Sequence, residues 1–504
     1  MPIHFRSFWP RKNWDSLLAA IAGILIIHSF CRHSGIGVSP DSVDYISTAS
    51  NIRYHGTATN YSGHPLVNFP IGYPLLLSGI MWITGQDAMS FGPVLNEALF
   101  AILILLCGVL MEGFAIRSKL YKWAILTIIV LSPCLLEVYS MLWSETLFLV
   151  LLLLFILFLR RYLAAPDAAS GLRRLWAPAL IAGLACVTRY AGITLIATGG
   201  LLLCFQGDLR IRGKMGRLLY FGAAALLLPC LNLLRNRMVT GTAAGLRERG
   251  IESFGHVLRD LGNVILGWLG AGEDYGLWAA VLAAVLIVVF ALLTIRRRRS
   301  RSTEHIVHVF FVVYAAFILG VASISRFQQL DSRLVSPLFI PLIWGCTFWI
   351  PGWMSNLYRG MGKPIALFAV FSGVIFIQTA QLTSYAENWE GIRDAGIPGY
   401  TENDWTHSQT MDYVRQQFAK DSVPVYSNAD DAIWFLTGLR AHTLPHKESV
   451  GERGSLMGLD RFYVVWFNDG YNSDLLNIDK IAQTKRMVWT KPFADGAVYY
   501  FTSR

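Results

Sequence analysis

About eleven apolar runs, most of them near the 18 residues that a membrane-crossing helix needs, decide what this chain can become. They lie near 14–31, 92–115, 123–139, 145–160, 175–188, 190–206, 217–234, 276–295, 305–324, 333–350 and 364–383. Inside a bilayer every backbone polar group must be satisfied within the segment itself, so each run is expected to be helical. The expected fold class is a polytopic α-helical membrane protein of about eleven spans, with a small C-terminal α/β domain. Composition agrees: 15% of the 504 residues are charged and 54% are hydrophobic, against about 25% charged in soluble domains. The seven cysteines (Cys31, Cys107, Cys134, Cys186, Cys204, Cys230, Cys346) lie in or at the ends of apolar runs without CxxC spacing. They read as small buried hydrophobes, not as a disulfide frame.

Basic residues set the orientation. They gather at Arg6/Arg11/Lys12, Arg117/Lys119/Lys122, Arg160/Arg161 with Arg173/Arg174, Arg210/Arg212/Lys214/Arg217, Arg296 to Arg299 with Arg301, and Arg359/Lys363. With all of them cytoplasmic, an even number of crossings must separate neighbouring clusters, and the eleven runs satisfy this. The N-terminus is then inside and the C-terminus outside. No small-x-small cleavage site follows the first run, which continues Ser29-Phe30-Cys31-Arg32, so it reads as an uncleaved anchor. The segment 69–83 is apolar, but Pro70 and Pro74 interrupt it. Parity leaves it no crossing, and it reads as a juxtamembrane or re-entrant helix.

This topology divides the chain into a membrane domain, 1–384, with outer loops 32–91 and 235–275, and an extracytoplasmic domain, 385–504. The latter mixes a helical pattern (Met411, Val414, Phe418) with strand-like runs at 423–426, 462–467, 487–490 and 498–502, the alternation of a small α/β domain.

Two constellations carry chemistry. Asp41 and Asp44, three residues apart, share a face if their segment is helical. Pro40 fits a helix start and Ser39 or Asp41 a cap; against that structural role stands a general base near the membrane surface. Arg189, Arg235, Arg237, Arg326 and Arg333 fall at outer span edges, where guanidinium forks match phosphate oxygens; the structural counterpart is pairing with Asp331, Glu145 or Glu137. His55 and His64 lie in the same loop as the two acids. The stretch Asn68–Pro74 is a fixed turn. The arginine run at 296–301 is explained by a cytoplasmic loop without any nucleic-acid partner. There is no phosphate-binding glycine loop, and no HExxH or CxxC spacing for zinc.

With these residues placed, the chain resembles the GT-C superfamily of membrane glycosyltransferases, nearest the branch of lipid A aminoarabinose transferases and protein O-mannosyltransferases. The resemblance rests on Asp41 four residues ahead of Tyr45 in SPDSVDYISTASNIRYHG, on NFPIGYPLLL after it, and on Ser144-Glu145 opening a span. It rests also on Thr188-Arg189 between two short spans, LLRNRMVTGT at 233–242, DSRLVSPLFIPL at 331–342 and VYSNADDAIWFLTGLRAHTLP at 425–445. It implies a polyprenyl-phosphate-linked sugar donor, an acceptor outside the cytoplasm and an inverting transfer. Spacing to Tyr45 favours Asp41 as base, with Asp44 the other candidate, since Ser42 stands where many relatives carry a second acid. Arg189, Arg333, Arg235 and Arg326 would hold the lipid phosphate; Tyr45, Glu145, His55 and His64 would contact sugar or acceptor. No cofactor is implied, and a divalent metal has no supporting ligand spacing. Expected partners are the donor, the acceptor and membrane lipids, with no nucleic acid. The expected location is a bacterial inner membrane, because eukaryotic retention and lipidation signals are absent. The competing readings are a lipid or polysaccharide transporter or flippase, which needs polar residues at mid-membrane depth, and a sensor or scaffold whose tail alone binds a ligand.

Overall fold

A computed structural model describes residues 13–114, 119–164, 168–205, 210–245, 250, 252–271, 275–296, 301–325, 330–348, 362–418, 423–468 and 474–504. The chain opens with α1 (Trp14–Ser34), α2 (Pro40–His55), α3 (Gly72–Thr84) and α4 (Ala88–Met111). Next come α5 (Lys119–Val130), α6 (Pro133–Ser140), α7 (Glu145–Leu163), α8 (Ala168–Thr188), α9 (Ile193–Cys204), α10 (Ile211–Thr240), α11 (Phe254–Trp268), α12 (Leu277–Arg296) and α13 (Thr303–Ile324). The short α14 (Ser332–Val335) and α15 (Phe339–Thr347) precede the long α16 (Gly362–Ala395).

Among the described residues each of the eleven apolar runs overlaps helix. Among the described residues six helices (α1, α4, α7, α10, α12 and α13) are long and apolar enough to cross a membrane, and α5 with α6 makes a seventh if that pair, bent by 48°, is one span. These make the chain an integral membrane protein. Three further runs fall short of that length or composition. Tyr190–Cys204 is too short, α8 carries the charged Arg173 and Arg174 in its second turn, and the run after 332 is broken into α14, a 3-10 turn and α15. Pro133, at the first position of α6, lacks the N–H that would continue α5 and so produces the bend. At 13 residues, α3 spans only about 20 Å and does not cross.

Two compact units emerge. The first comprises Met1–Phe30, Val67–Leu75 and Phe91–Glu390. At its centre is α7, 72% of whose most apolar window is buried in protein, against 22% for α10 and α12; α8 packs on α7, and α9 and α10 on α8. Leu277, Val281, Val285, Val288 and Leu292 of α12 are exposed, as suits a lipid-facing surface. Cys204 and Cys230 are also exposed, contrary to the expectation that all seven cysteines are buried. Their neighbours Leu201, Leu227 and Leu231 are exposed as well, so an apolar surround rather than a protein core accommodates these thiols.

The second unit comprises Cys31–Leu66, Leu76–Ser90 and Gly391–Arg504. First-loop backbone is pinned to the tail: the Tyr400 N–H donates to the Val38 carbonyl (2.8 Å) and the Ile397 N–H to Ser34 Oγ (2.9 Å). The tail adds α17 (Gln409–Gln417), β1 (Val425–Ser427), α18 (Asp430–Thr437), β2 (His442–Thr443), α19 (Val450–Met457), β3 (Arg461–Phe467), α20 (Ile478–Thr484), β4 (Arg486–Pro492) and β5 (Gly496–Thr502). The sheet order is β2-β1-β3-β5-β4, with β1 parallel to β2 and β3 and the β3–β5 and β5–β4 pairs antiparallel. Phe462, Val464 and Phe501 join Leu444, Leu456, Leu476 and Ile481 in its core.

Candidate active site

In the membrane unit the candidate site is built where three chain breaks meet. Arg189 sits between α8 and α9 with an extended backbone (φ −145°, ψ 138°), which takes its side chain out of the helical line. Arg333 lies in α14, a single turn whose N-cap is Asp331, the carboxylate accepting from the Leu334 N–H (2.8 Å). Glu145 opens α7 and is fully buried. Its Oε1 accepts from Arg333 Nε at 2.5 Å, and its Oε2 lies 2.6 Å from Arg189 Nη1. Ser144 Oγ accepts from Arg189 Nη1 (3.0 Å). The Arg333 guanidinium carbon stands 4.1 Å from the Trp143 ring centroid, a cation–π contact. The residues just before Arg333 and Ser336 are tied down too: Ser332 Oγ accepts from Trp268 Nε1 (2.9 Å), and Ser336 Oγ donates to the Arg333 carbonyl (2.7 Å).

Two guanidiniums converge on one buried carboxylate, with Asp331 and Glu137 near enough to interact with the same charges. Each guanidinium presents its N–H donors in a fixed planar fork, a shape that matches the oxygens of a phosphate. A buried carboxylate also repels anions, so its role here is to fix the two forks rather than to bind.

The turn at 68–74 has a structural task in this unit. The Ile71 N–H donates to Asn232 Oδ1 (3.4 Å), and a Cβ on Gly72 would meet the Val187 carbonyl oxygen at 2.5 Å. Glycine therefore lets this turn close on the end of α8, two residues from Arg189. Next to Arg189, Tyr190 donates its hydroxyl to the Val67 carbonyl (2.9 Å) and accepts from Asn236 Nδ2 (3.1 Å). Arg235 turns instead to Asn236 Oδ1 (3.0 Å). Arg326 lies outside the described residues.

In the second unit, α2 carries Asp41 and Asp44. Pro40 occupies its first turn, and the Ser39 N–H donates to Ser42 Oγ (3.1 Å), so Ser39, not Asp41, is the cap. Asp44 Oδ1 accepts from Asn60 Nδ2 (3.0 Å). Burial, with Asp41, Asp431 and Asp430 adding repulsion, pushes the Asp44 carboxyl up to about 7. Tyr45 is buried, while His55 and His64 are exposed. Asp430 and Asp431 begin α18, which packs on α2. Asp430 Oδ2 accepts from the Tyr61 hydroxyl (2.8 Å) and the Thr443 hydroxyl (3.0 Å), and Asp431 Oδ2 from the Tyr400 hydroxyl (2.8 Å). Among the described residues no group of three His, Cys, Asp or Glu side chains is arranged to hold a metal.

Sequence reasoning named Glu145 as one of three acids that could pair with these arginines, and the structure brings it together with both Arg189 and Arg333. It missed Trp143, which sits beside the Ser144-Glu145 pair and was the one aromatic there to ask about. It also missed Asp430 and Asp431, whose place at a helix start reads as ordinary first-turn acid.

Solved structures share this architecture. The apo form of ArnT from Cupriavidus metallidurans superimposes with a TM-score of 0.53 at 14% identity, covering 98% of both chains. The same protein bound to undecaprenyl phosphate gives 0.52 at 14% identity, covering 97% of this chain and 98% of that one. The archaeal oligosaccharyltransferase AglB from Archaeoglobus fulgidus, in complex with an inhibitory peptide and a dolichol-phosphate, gives 0.50 at 12% identity over 91% of this chain and 70% of its own. The chain shares the fold of these proteins. No family model matches the sequence, and no curated protein matches it. At such identities the fold alone is what the likeness carries, and the chemistry must be argued from side chains.

Proposed function

We propose that the protein is a glycosyltransferase that moves a sugar from a polyprenyl-phosphate carrier to an acceptor outside the cytoplasm. The observation that carries the reading is the Arg189–Glu145–Arg333 arrangement, two fixed guanidinium forks at the start of an apolar helix. Lipid phosphates bound to two proteins of the same fold support it. In this reading the acceptor hydroxyl gives its proton to a carboxylate of α2 as its oxygen attacks the anomeric carbon. The bond from that carbon to the phosphate oxygen breaks, the configuration inverts, and the polyprenyl phosphate leaves with the electron pair. Arg189 and Arg333 stabilise the charge growing on the phosphate, which preorganised donors do at little reorganisation cost. Arg235, and Arg326 by its place in the sequence, stand as outer contacts to the same lipid head. His55, His64 and Tyr45 belong to the acceptor side.

Spacing favours Asp41 as base, but chemistry favours Asp44. A general base works best when its proton affinity lies near the operating pH, and Asp44 is pushed to about 7. The sugar is a hexose or pentose, and the membrane a bacterial inner membrane with the N-terminus cytoplasmic. The test compares polyprenyl-linked sugars and envelope glycans by mass spectrometry in cells with and without the gene. Loss of the gene is expected to raise one polyprenyl-phosphate sugar and remove that sugar from an outer glycan, lipid or protein. Complementation by Asp44→Asn should fail. Unchanged profiles on deletion would overturn the reading.

A further inference from the structure

Four carboxylates come together in the second unit from segments nearly 390 residues apart in the sequence: Asp41 and Asp44 on α2, Asp430 and Asp431 on α18. Neighbouring elements place specific groups against three of them. Asn60 of the loop after α2 donates to Asp44. Tyr61 and Thr443 donate to Asp430, whose charge also meets His442. Tyr400 donates to Asp431. The hydrogen-bond donors to Asp44, Asp430 and Asp431 are thus neutral groups.

An ordinary helix start needs no such arrangement. Acids in the first turn gain from the helix dipole at an exposed surface, whereas Asp430 and Asp431 are buried. Burial of like charges is expensive unless protons are shared, and carboxylates that interact this strongly take up protons as a group. The tail therefore stores negative charge where it can act on the first-loop helix.

We propose that Asp430 and Asp431 of the tail are positioning residues for Asp44, acting on its proton through the contact of α18 with α2. The proposal rests on reading Asp44 as the base. It gives the tail a part in the chemistry: the domain tunes the acid of the first loop so that it exchanges protons near neutral pH. Burial alone raises the proton affinity of Asp44, and the two tail acids add to it. Tyr61 and Tyr400, with their phenols pushed up by burial and by these same carboxylates, remain donors throughout that range and keep both acids in place.

The test is an infrared difference titration of the purified full-length protein in detergent. The Asp44 carboxylic band is identified by its disappearance in Asp44→Asn. Wild type is expected to titrate near the value of about 7, and the midpoint is expected to fall by about one pH unit in Asp430→Asn and in Asp431→Asn. Both substitutions keep an oxygen for Tyr61, Thr443 or Tyr400, so each single variant is expected to fold, and the singles decide if the double variant does not. A downward shift supports the proposal, because a merely structural pair of acids would leave the Asp44 titration where it is. An unmoved midpoint in the folded variants overturns it. That failure is distinct from failure of the base assignment, which would show as full transfer by Asp44→Asn whatever its titration.

Discussion

Arg333 lies over the indole of Trp143, its guanidinium carbon 4.1 Å from the ring centroid. The ring fixes the plane of the fork while Glu145 fixes its edge. A desolvated contact of this kind is worth up to about 2 kcal/mol. Trp143→Leu is therefore expected to weaken polyprenyl phosphate binding by about two- to thirty-fold, measured with the full chain in nanodiscs. An unchanged affinity would mean that the stack does not set the fork. Arg333→Lys is expected to behave like a deletion, because an ammonium cannot make the bidentate contact.

Glu145 is the common counter-charge of two arginines and is completely buried. Removing one partner of a buried ion pair costs about 3–5 kcal/mol, because the other charge stays uncompensated. Glu145→Ala is expected to lower the unfolding temperature of the full chain markedly. Adding Arg333→Ala to it should cost less than the sum of the two single losses. Additive losses would contradict the coupling.

How much of this was legible beforehand depended on the range of the interaction. Helix positions followed from apolar runs, since burial and backbone satisfaction act locally. The strands at Arg461–Phe467, Arg486–Pro492 and Gly496–Thr502 each fall within a residue or two of the runs anticipated for them, again because the pattern is local. Two-residue β2 carries no pattern to read. The meeting of Glu145 with Arg189 and Arg333, separated by 188 positions in the longer pair, was open among several acids. Asp430 and Asp431 escaped notice because only tertiary packing distinguishes a buried acid pair from a helix cap. Apolar runs suggested about eleven spans, and among the described residues six helices, or seven with the bent pair, are long and apolar enough to cross; charge clustering constrains the order of crossings but not whether a short helix crosses.

Two glycines of α3 form an internal control. A Cβ on Gly72 would lie 2.5 Å from the Val187 carbonyl oxygen, whereas one on Gly79 meets nothing within 4 Å. Gly72→Ala is expected to cost about 1–3 kcal/mol through overpacking, and to weaken lipid-phosphate binding by shifting the end of α8 that leads into Arg189. Gly79→Ala is expected to be neutral or to stabilise by up to about 1 kcal/mol. Chemical and thermal unfolding of both variants checks the contrast.

Stability should depend on pH with a definite sign. Burial and mutual repulsion raise Asp44 to about 7 and Asp431 to about 6, and raise Asp430 as well, from about 3.9 in the unfolded chain. Between those values the folded state binds more protons than the unfolded one. The contribution is present below the unfolded value and is lost as pH rises through the folded ones. The unfolding temperature of the full chain is expected to fall from pH 5 to pH 8, and Asp44→Asn should flatten that slope. An identical slope in the variant would remove Asp44 from the titrating group.

The most direct test of the central claim is the binding of undecaprenyl phosphate to the full-length protein in nanodiscs, followed by native mass spectrometry, for wild type, Arg189→Ala and Arg333→Ala. The account predicts saturable binding to wild type that weakens by about ten- to hundred-fold in each variant, the loss expected for a charge-assisted hydrogen bond. Equal binding by all three proteins would contradict it.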